Sequence, residues 1–167
     1  MTHPVMTESR PVVAIAILYQ SDRFLMQLRD NIPTIVYPGH WSFFGGHLDP
    51  GESHEAAIHR ELLEEIGYDP PHLTYFRTYS DPQVIRHVYQ APLTVGLADL
   101  QLHEGWDMGF LTLEEIRQGG CYSEKAGYIC PLGKPHQQIL LDLFQARLEL
   151  PTFGLPTDDK NTGNPVK

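Results

Sequence analysis

The stretch SHEAAIHRELLEEIG, from Ser53 to Gly67, decides the fold of this chain. Its residues are good helix formers as far as Ile66, and Ser53 can serve as the N-cap. Gly67 is a suitable C-terminal stop, because glycine readily adopts the left-handed conformation that ends many helices. The sequence therefore predicts one central helix, and the rest of the fold is placed around it.

A helical wheel at about 100° per residue separates two faces of this helix. Glu61, Glu64 and Glu65 fall within an arc of roughly 100°, and Ala57 lies in the same arc. Apolar side chains occupy the other side, which predicts a core-facing surface. The residues of that surface are Ile58, Leu62, Ile66, Leu63 and Ala56.

The crowding of three glutamates has two interpretations. A solvated acidic face is one, although like charges at these spacings cost a few tenths of a kcal/mol each. No lysine stands between Asp49 and Pro70 to offset them, and Arg60 can pair with Glu64 at i,i+4. The other interpretation is a cation site, because Mg²⁺ takes oxygen ligands from a few carboxylates together with substrate phosphates. On this helix alone both interpretations stay open.

Upstream of the helix, GGHLDPGE (Gly45 to Glu52) is a glycine-rich loop leading to the helix N-terminus. Such a loop lets the backbone approach a ligand closely. It could also supply a carbonyl ligand to the same cation.

The flanking segments predict a sheet with helices packed on it. Strands come first, then the central helix, more strands and a closing helix, which indicates an α/β or α+β sandwich with a mixed sheet. We expect a loose arm at 1–10, one domain at 11–150 and an extended or disordered tail at 151–167. The predicted strands are 11–19, 23–29, 72–79, 83–96 and 108–111, and the further helices are 112–118 and 134–150.

Composition and charge narrow the class of function. The 167 residues carry a formal net charge of -9, which argues against broad binding to DNA, RNA or anionic membranes. A small anionic substrate is still compatible, because a bound cation reverses the local charge. We expect no signal peptide, no membrane span and a cytoplasmic location. Cys121 and Cys130 form no CxxC pair and suggest a reducing compartment.

The spacing of the glycines and charged residues resembles a known family signature. Gly46, five residues, Glu52, seven residues and then RELLEEIGY (60–68) is similar to the Nudix box, G-x5-E-x7-R-E-U-x-E-E-x-G-U, where U is bulky and apolar. Every fixed position matches, with Tyr68 in the last apolar slot. The segments 41–52 and 104–116 extend the resemblance, which covers roughly residues 11–148.

This resemblance implies an α/β/α sandwich and hydrolysis of a nucleoside diphosphate linked to another moiety, with Mg²⁺ or with Mn²⁺ as a substitute. The partner would be a small nucleotide or diphosphate, and similar proteins are commonly homodimers. Arg60 would orient the glutamates through ion pairs, and Glu52 would support the junction of loop and helix. The implied metal ligands are Glu61, Glu64, Glu65 and the backbone of Gly46.

The catalytic base is less directly implied, because its identity varies among similar proteins. Metal-activated water must still lose a proton to a carboxylate. Some members use a later glutamate just before an aromatic residue, but here Gly109 stands before Phe110. We therefore expect Glu61 to act as ligand and base, with Glu104 as the second candidate.

The substrate-binding candidates lie around the box. His47 could contact phosphate or pack in its loop, while Phe44 and Trp106 could stack on a base or belong to the core. Phe44 stands where many members have proline. The predicted substrate-binding residues are Gly45, Gly46, His47, Glu52, Phe44 and Trp106.

The resemblance leaves several functions open. A nucleoside triphosphate or modified nucleotide is the leading substrate, and the alternative is a nucleotide sugar, ADP-ribose or a dinucleotide. An isopentenyl-diphosphate isomerase has a similar domain, but this chain has no convincing context for a catalytic cysteine. A non-catalytic nucleotide sensor often loses box glutamates, which this chain keeps.

Overall fold

The computed structural model describes residues 9–150. The tail predicted for 151–167 and most of the arm predicted for 1–10 lie outside the described residues. The helices are α1 (His54–Ile66), α2 (Leu113–Gln118) and α3 (Lys134–Glu149). The strands are β1 (Val12–Gln20), β2 (Arg23–Leu28), β3 (Trp41–Ser42), β4 (Phe44–His47), β5 (Thr74–Ser80), β6 (Ile85–Pro92), β7 (Asp107–Leu111), β8 (Gly120–Ser123) and β9 (Tyr128–Pro131).

β1 is the centre of a seven-stranded mixed sheet. It pairs antiparallel with β2 and β4 and parallel with β6 over its length. The sheet order is β3-β2-β1-β6-β5, with β7 paired to β2. β8 and β9 form a separate two-stranded sheet. The apolar, β-branched character of β1 fits this position, because a central strand is covered on both faces.

Alternate residues of β1 supply two hydrophobic clusters, one on each face of the sheet. Ala14 and Ala16 join the cluster that contains the apolar face of α1. Ile15 and Ile17 join the cluster that contains residues of α2 and α3. Helices therefore cover both faces, which confirms the predicted α/β/α sandwich with a mixed sheet. No helix in the part of the chain described by the structure is long and apolar enough to cross a membrane.

The ends of α1 are as predicted. The Ser53 hydroxyl accepts a hydrogen bond from the Ala56 N–H at 3.1 Å, and Gly67 adopts a left-handed φ of 66°.

The predicted core face of α1 is wrong at its edges. Leu63 and Ala56 are exposed, whereas Ala57 and Glu65 are buried. The cause is β4, whose glycines let it pass beneath the carboxylate side of the helix. The Gly45 N–H donates to Glu65 there.

Two further differences concern the second half of the chain. The strand predicted at 83–96 begins at Ile85 and ends at Pro92, and a 3-10 turn follows at Leu97–Asp99. The β8–β9 hairpin was not predicted from the sequence. Its signal is the alternation on either side of SEKAG, where Gly127 provides the positive φ of 80° that the turn requires.

Candidate active site

A cavity of about 920 Å³ opens between the C-terminal half of α1, β4 and the ends of the neighbouring strands. Its volume is within the range of small-molecule pockets. Most of the site residues predicted from the sequence meet at this cavity. Those that line it are Gly45, Gly46, His47, Glu61, Glu64, Glu65 and Glu104.

Arg60 is the centre of a network of ion pairs on α1. Its Nε and Nη2 donate to the two carboxylate oxygens of Glu52, each at 2.8 Å. Its Nη1 donates to Glu61 at 3.0 Å and to Glu64 at 3.2 Å. A guanidinium suits this arrangement, because its planar fork can bind one carboxylate bidentately and still reach others. The network holds the Glu61 carboxylate in one orientation, and the catalytic role that the resemblance implies for Arg60 stays a prediction.

Glu52 holds the loop against the helix rather than lining the cavity. Besides its bonds from Arg60, it accepts a hydrogen bond from the Asp49 N–H at 3.0 Å. These donors lower the pKa of Glu52 to about 2, chiefly through Arg60. Arg60 also donates to the His47 carbonyl at 3.1 Å. The loop from His47 to Glu52 is therefore tied to α1 through Arg60, and the functional role of Glu52 stays a prediction.

Glu65 is a carboxylate buried in the interior, with 3% of its surface exposed. Burial, together with the nearby charges of Glu61 and Glu104, raises its pKa to about 8. The hydrogen bond from the Gly45 N–H, at 3.0 Å, acts in the opposite direction. A carboxylate in this position is stabilised when a cation comes close to it.

Gly46 brings the backbone against Glu61. A Cβ atom at Gly46 would lie 2.6 Å from a carboxylate oxygen of Glu61, so only glycine leaves this oxygen in place. Burial raises the pKa of Glu61, and the hydrogen bond from Arg60 partly offsets this. The backbone of β4 and the Glu61 carboxylate therefore meet at one point of the cavity wall.

The donor set suits a hard divalent cation, which prefers carboxylate and carbonyl oxygens. Glu61 and Glu65 supply two crowded carboxylates, and Gly46 supplies a close backbone. Within residues 9–150 no three His, Cys, Asp or Glu side chains are already arranged to hold a metal. Glu61 and Glu64 are both paired with Arg60. The three-glutamate ligand set stays a prediction.

The aromatic residues proposed for base stacking lie elsewhere. Phe44 is fully buried in the cluster beneath α1. Trp106 packs against the opposite cluster and lies edge-on to Tyr128. Neither is among the described residues that line the cavity. His47 is exposed at the cavity rim, where contact with a phosphate group is geometrically open.

Several residues of the cavity wall were not assigned to the site from the sequence, and they include Arg29, Ser42, Arg86 and His136. Arg86 pairs with Asp81 at 2.7 Å. His136, in the first turn of α3, is half-buried and its pKa is lowered to about 3, first by desolvation and then by nearby cations that include Arg86 and Arg29. These residues come from separate elements, so their convergence has no local sequence signal.

Comparison with known proteins finds a matching family profile and several named relatives. The NUDIX domain profile matches residues 8–128, which is most of the chain. A Bacillus subtilis protein named "Putative 8-oxo-dGTP diphosphatase" is 34% identical over 86 residues, or 50% of this chain and 54% of that protein. Nucleoside triphosphatase NudI of Salmonella agona is 42% identical over 52 residues, or 30% of this chain and 36% of that protein. The chain thus spans about half, or less, of the length of these relatives.

Solved structures of low sequence identity share the fold. The NUDIX domain of Shewanella oneidensis NrtR, complexed with ADP ribose, superposes with a TM-score of 0.63 at 22% identity, covering 88% of this chain and 94% of that one. A structure from a study of MutT from Aliivibrio salmonicida and Vibrio cholerae gives a TM-score of 0.63 at 18% identity, covering 83% of this chain and 99% of that one. With the profile match across most of its length, the chain belongs to the NUDIX domain family.

Proposed function

We propose that this protein is a Mg²⁺-dependent pyrophosphohydrolase that cleaves a diphosphate bond in a nucleoside triphosphate or a modified nucleotide. The observation that carries the proposal is that two glutamates meet at one wall of the cavity. Glu65 is buried and would be stabilised by a cation, and Glu61 is held in place by a hydrogen bond from Arg60. The names of the curated relatives, a diphosphatase and a nucleoside triphosphatase, support a nucleotide substrate.

The residues of the chain divide the work between holding charge and moving a proton. When bound, Mg²⁺ supplies charge neutralisation of the phosphoryl oxygens and lowers the pKa of water. Glu61 and Glu65 would hold it, with Glu64 and the Gly46 carbonyl completing the ligands. Arg60 keeps the Glu61 carboxylate facing the cavity, and the closed loop before α1 keeps Arg60 in place.

Glu61 is the first candidate for the base, and Glu104 is the second. Glu61 is held by one hydrogen bond from Arg60, which leaves its other oxygen available at the cavity. Glu104 is exposed on the loop before β7 and also lines the cavity. Its charge raises the pKa of Glu61, so the two carboxylates act on each other within the same cavity.

The positions of the cysteines weigh against an isomerase. Cys121 and Cys130 face each other across the β8–β9 hairpin, and neither is among the described residues that line the cavity. Burial raises the pKa of Cys121 to about 12 and also raises that of Cys130. Such thiols stay protonated at neutral pH and are poor nucleophiles or acids.

A product analysis with matched variants tests the proposal. The protein is incubated with Mg²⁺ and a panel of nucleoside triphosphates, oxidised triphosphates, nucleotide sugars, ADP-ribose and dinucleotides, and the phosphate products are resolved. We expect release of pyrophosphate from a triphosphate. Glu65→Gln should reduce kcat by at least about a hundredfold, because one charged ligand is lost from the site.

Glu55→Gln is the control, since Glu55 lies exposed on the first turn of the same helix. It removes the same charge at a distance from the cavity and should leave kcat unchanged. Comparison of Glu61→Gln with Glu104→Gln identifies the catalytic base. The residue whose substitution removes the acidic limb of the pH profile of kcat is the base. Absence of turnover across the whole panel would contradict the proposal.

A further inference from the structure

Two buried polar atoms at the cavity wall have no hydrogen-bond partner among residues 9–150. They are the Nε of Arg29 and the hydroxyl of Ser42. Both residues line the cavity, and Ser42 is only 2% exposed. Buried polar groups in native proteins are almost always paired, so two unpaired ones at the same cavity indicate partners supplied by a ligand.

The two residues belong to one polar row on the sheet. β2 and β3 run antiparallel with Gln27 opposite Ser42. Arg29 directly follows the end of β2, where its N–H donates to the His40 carbonyl at 3.0 Å and continues the pairing, so it lies on the same face as Gln27. Leu25, on that face, packs in the cluster with α1. The row of Gln27, Arg29 and Ser42, here called the β2–β3 row, therefore faces the side of the sheet that carries the glutamates.

Gln27 is already fixed in this row. Its side-chain amide donates to the Phe43 carbonyl at 3.1 Å. Ser123 is a buried serine of this chain whose hydroxyl, unlike that of Ser42, has hydrogen-bond partners. Its hydroxyl donates to Asp107 at 2.6 Å and accepts from the Ala126 N–H at 3.1 Å. Against that background, Arg29 and Ser42 are the members of the row with unused hydrogen-bonding capacity.

The chemistry of Arg29 selects the ligand. An arginine only donates hydrogen bonds, and among residues 9–150 no carboxylate forms an ion pair with Arg29. Four glutamates line the same cavity, and the Mg²⁺ that they would hold takes the phosphates of the nucleotide, which leaves its uncharged part for the row. A neutral group with hydrogen-bond acceptors is therefore favoured as the partner of Arg29 and Ser42. Guanine presents two adjacent acceptors, O6 and N7, which arginine recognises well, whereas adenine presents an amino donor at the equivalent position.

We propose that Arg29 and Ser42 bind the base of the nucleotide and select a keto-bearing base, guanine in preference to adenine. This inference rests on the proposed function only in taking a nucleotide as the ligand. It assigns a specificity role to the β2–β3 row, which lies outside the metal-binding motif.

Binding of nucleoside monophosphates tests the inference without any turnover. The full-length protein with Mg²⁺ is titrated calorimetrically with GMP and with AMP up to millimolar concentrations. We expect GMP to bind at least about tenfold more tightly. Arg29→Met and Ser42→Ala should each remove most of this preference. Arg29→Lys should also lose it, because lysine keeps the charge but has no Nε–H in that position.

Ser123→Ala and Arg23→Met are the matched controls. Ser123→Ala removes a satisfied buried hydroxyl and should lower Tm while leaving the GMP preference intact. Ser42→Ala removes an unpaired hydroxyl and should not lower Tm. Arg23 lies on β2 over the ring of Phe110, away from the cavity lining, and its loss should leave both affinities unchanged.

Three outcomes would overturn the inference. They are equal affinities for GMP and AMP, tighter binding of AMP, and no binding of either nucleotide. Inorganic pyrophosphate separates recognition of base from recognition of phosphate. If Arg29→Met weakens pyrophosphate and both nucleotides equally, Arg29 binds phosphate and the inference is wrong. Hydrolysis of triphosphates is measured separately, so a guanine preference without turnover would contradict only the proposed function.

Discussion

At the scale of single residues, the geometry of the site depends on two glycines of β4. Gly45 and Gly46 are adjacent, yet the structure uses them differently. At Gly45 a Cβ atom would lie 2.1 Å from the backbone oxygen of Ala14, and φ is +133°. At Gly46 a Cβ atom would meet the carboxylate of Glu61, which is the end of a flexible side chain. Gly45 therefore allows β4 to pair with β1, and Gly46 leaves room for the Glu61 carboxylate at the cavity wall.

Alanine substitutions at these two positions should separate fold from activity. Gly45→Ala should lower the free energy of unfolding by about 3 kcal/mol or more, because backbone atoms must move and φ is positive. Gly46→Ala should change it by less than about 1 kcal/mol but reduce kcat at least about tenfold, because Glu61 is displaced. Urea unfolding and a triphosphatase assay measure the two effects. Similar stability losses in both variants would refute this division.

At the scale of elements, α3 reaches the cavity through its first turn. His136 is half-buried there, and its Nδ1 accepts a hydrogen bond from the Phe43 N–H at 3.5 Å, as a neutral ring can. Its ring also lies edge-on to Phe43, with centroids 5.0 Å apart. The helix N-terminus disfavours a cation in this position as well. α3 therefore contacts the sheet through a histidine whose neutral form is favoured.

The pKa of His136 predicts a specific acid sensitivity. Its folded pKa of about 3 lies below the unfolded value of about 6.5. Protons therefore bind the unfolded state first, and stability falls as pH decreases from 6.5 toward 3. Between pH 6.5 and 4.5 this effect reaches up to about 2 kcal/mol. His136→Gln should reduce that loss, as measured by urea unfolding at several pH values.

His72→Gln provides the comparison, because His72 is exposed in the loop before β5. It should leave the pH dependence of stability as in the wild type. Other groups titrate in the same window, so the informative quantity is the difference between variant and wild type. An unchanged pH slope in His136→Gln would mean that α3 tolerates a charged histidine.

At the scale of the whole molecule, the chain carries a formal net charge of -9, and four glutamates line the same cavity. The charged form of Glu65 is destabilised there, since burial and repulsion from Glu61 and Glu104 raise its pKa to about 8. Mg²⁺ should consequently stabilise the folded protein, by about 1.4 kcal/mol when its concentration is tenfold above Kd. Thermal unfolding should show a Tm higher by a few degrees, with NaCl of equal ionic strength as the control for screening.

Glu65→Gln should abolish this response to Mg²⁺. The amide can still accept the hydrogen bond from the Gly45 N–H, so the metal-free variant should be at least as stable as the metal-free wild type. Glu55→Gln should respond to Mg²⁺ like the wild type. An increase in Tm with Mg²⁺ that persists in Glu65→Gln would place the ion elsewhere.

Gel filtration would test the homodimer, which stays a prediction.

The sequence by itself determined the central helix, its caps and the identity of the catalytic glutamates proposed here. These features are local, because helix periodicity, capping and motif spacing depend on residues close together in the chain. The burial of Glu65 and the exposure of Leu63 depended on β4 lying beneath α1, which no local pattern encodes. The β2–β3 row and His136 likewise reach the cavity only through strand register and helix docking. Long-range packing therefore decided which charges are buried and which donors remain for a ligand.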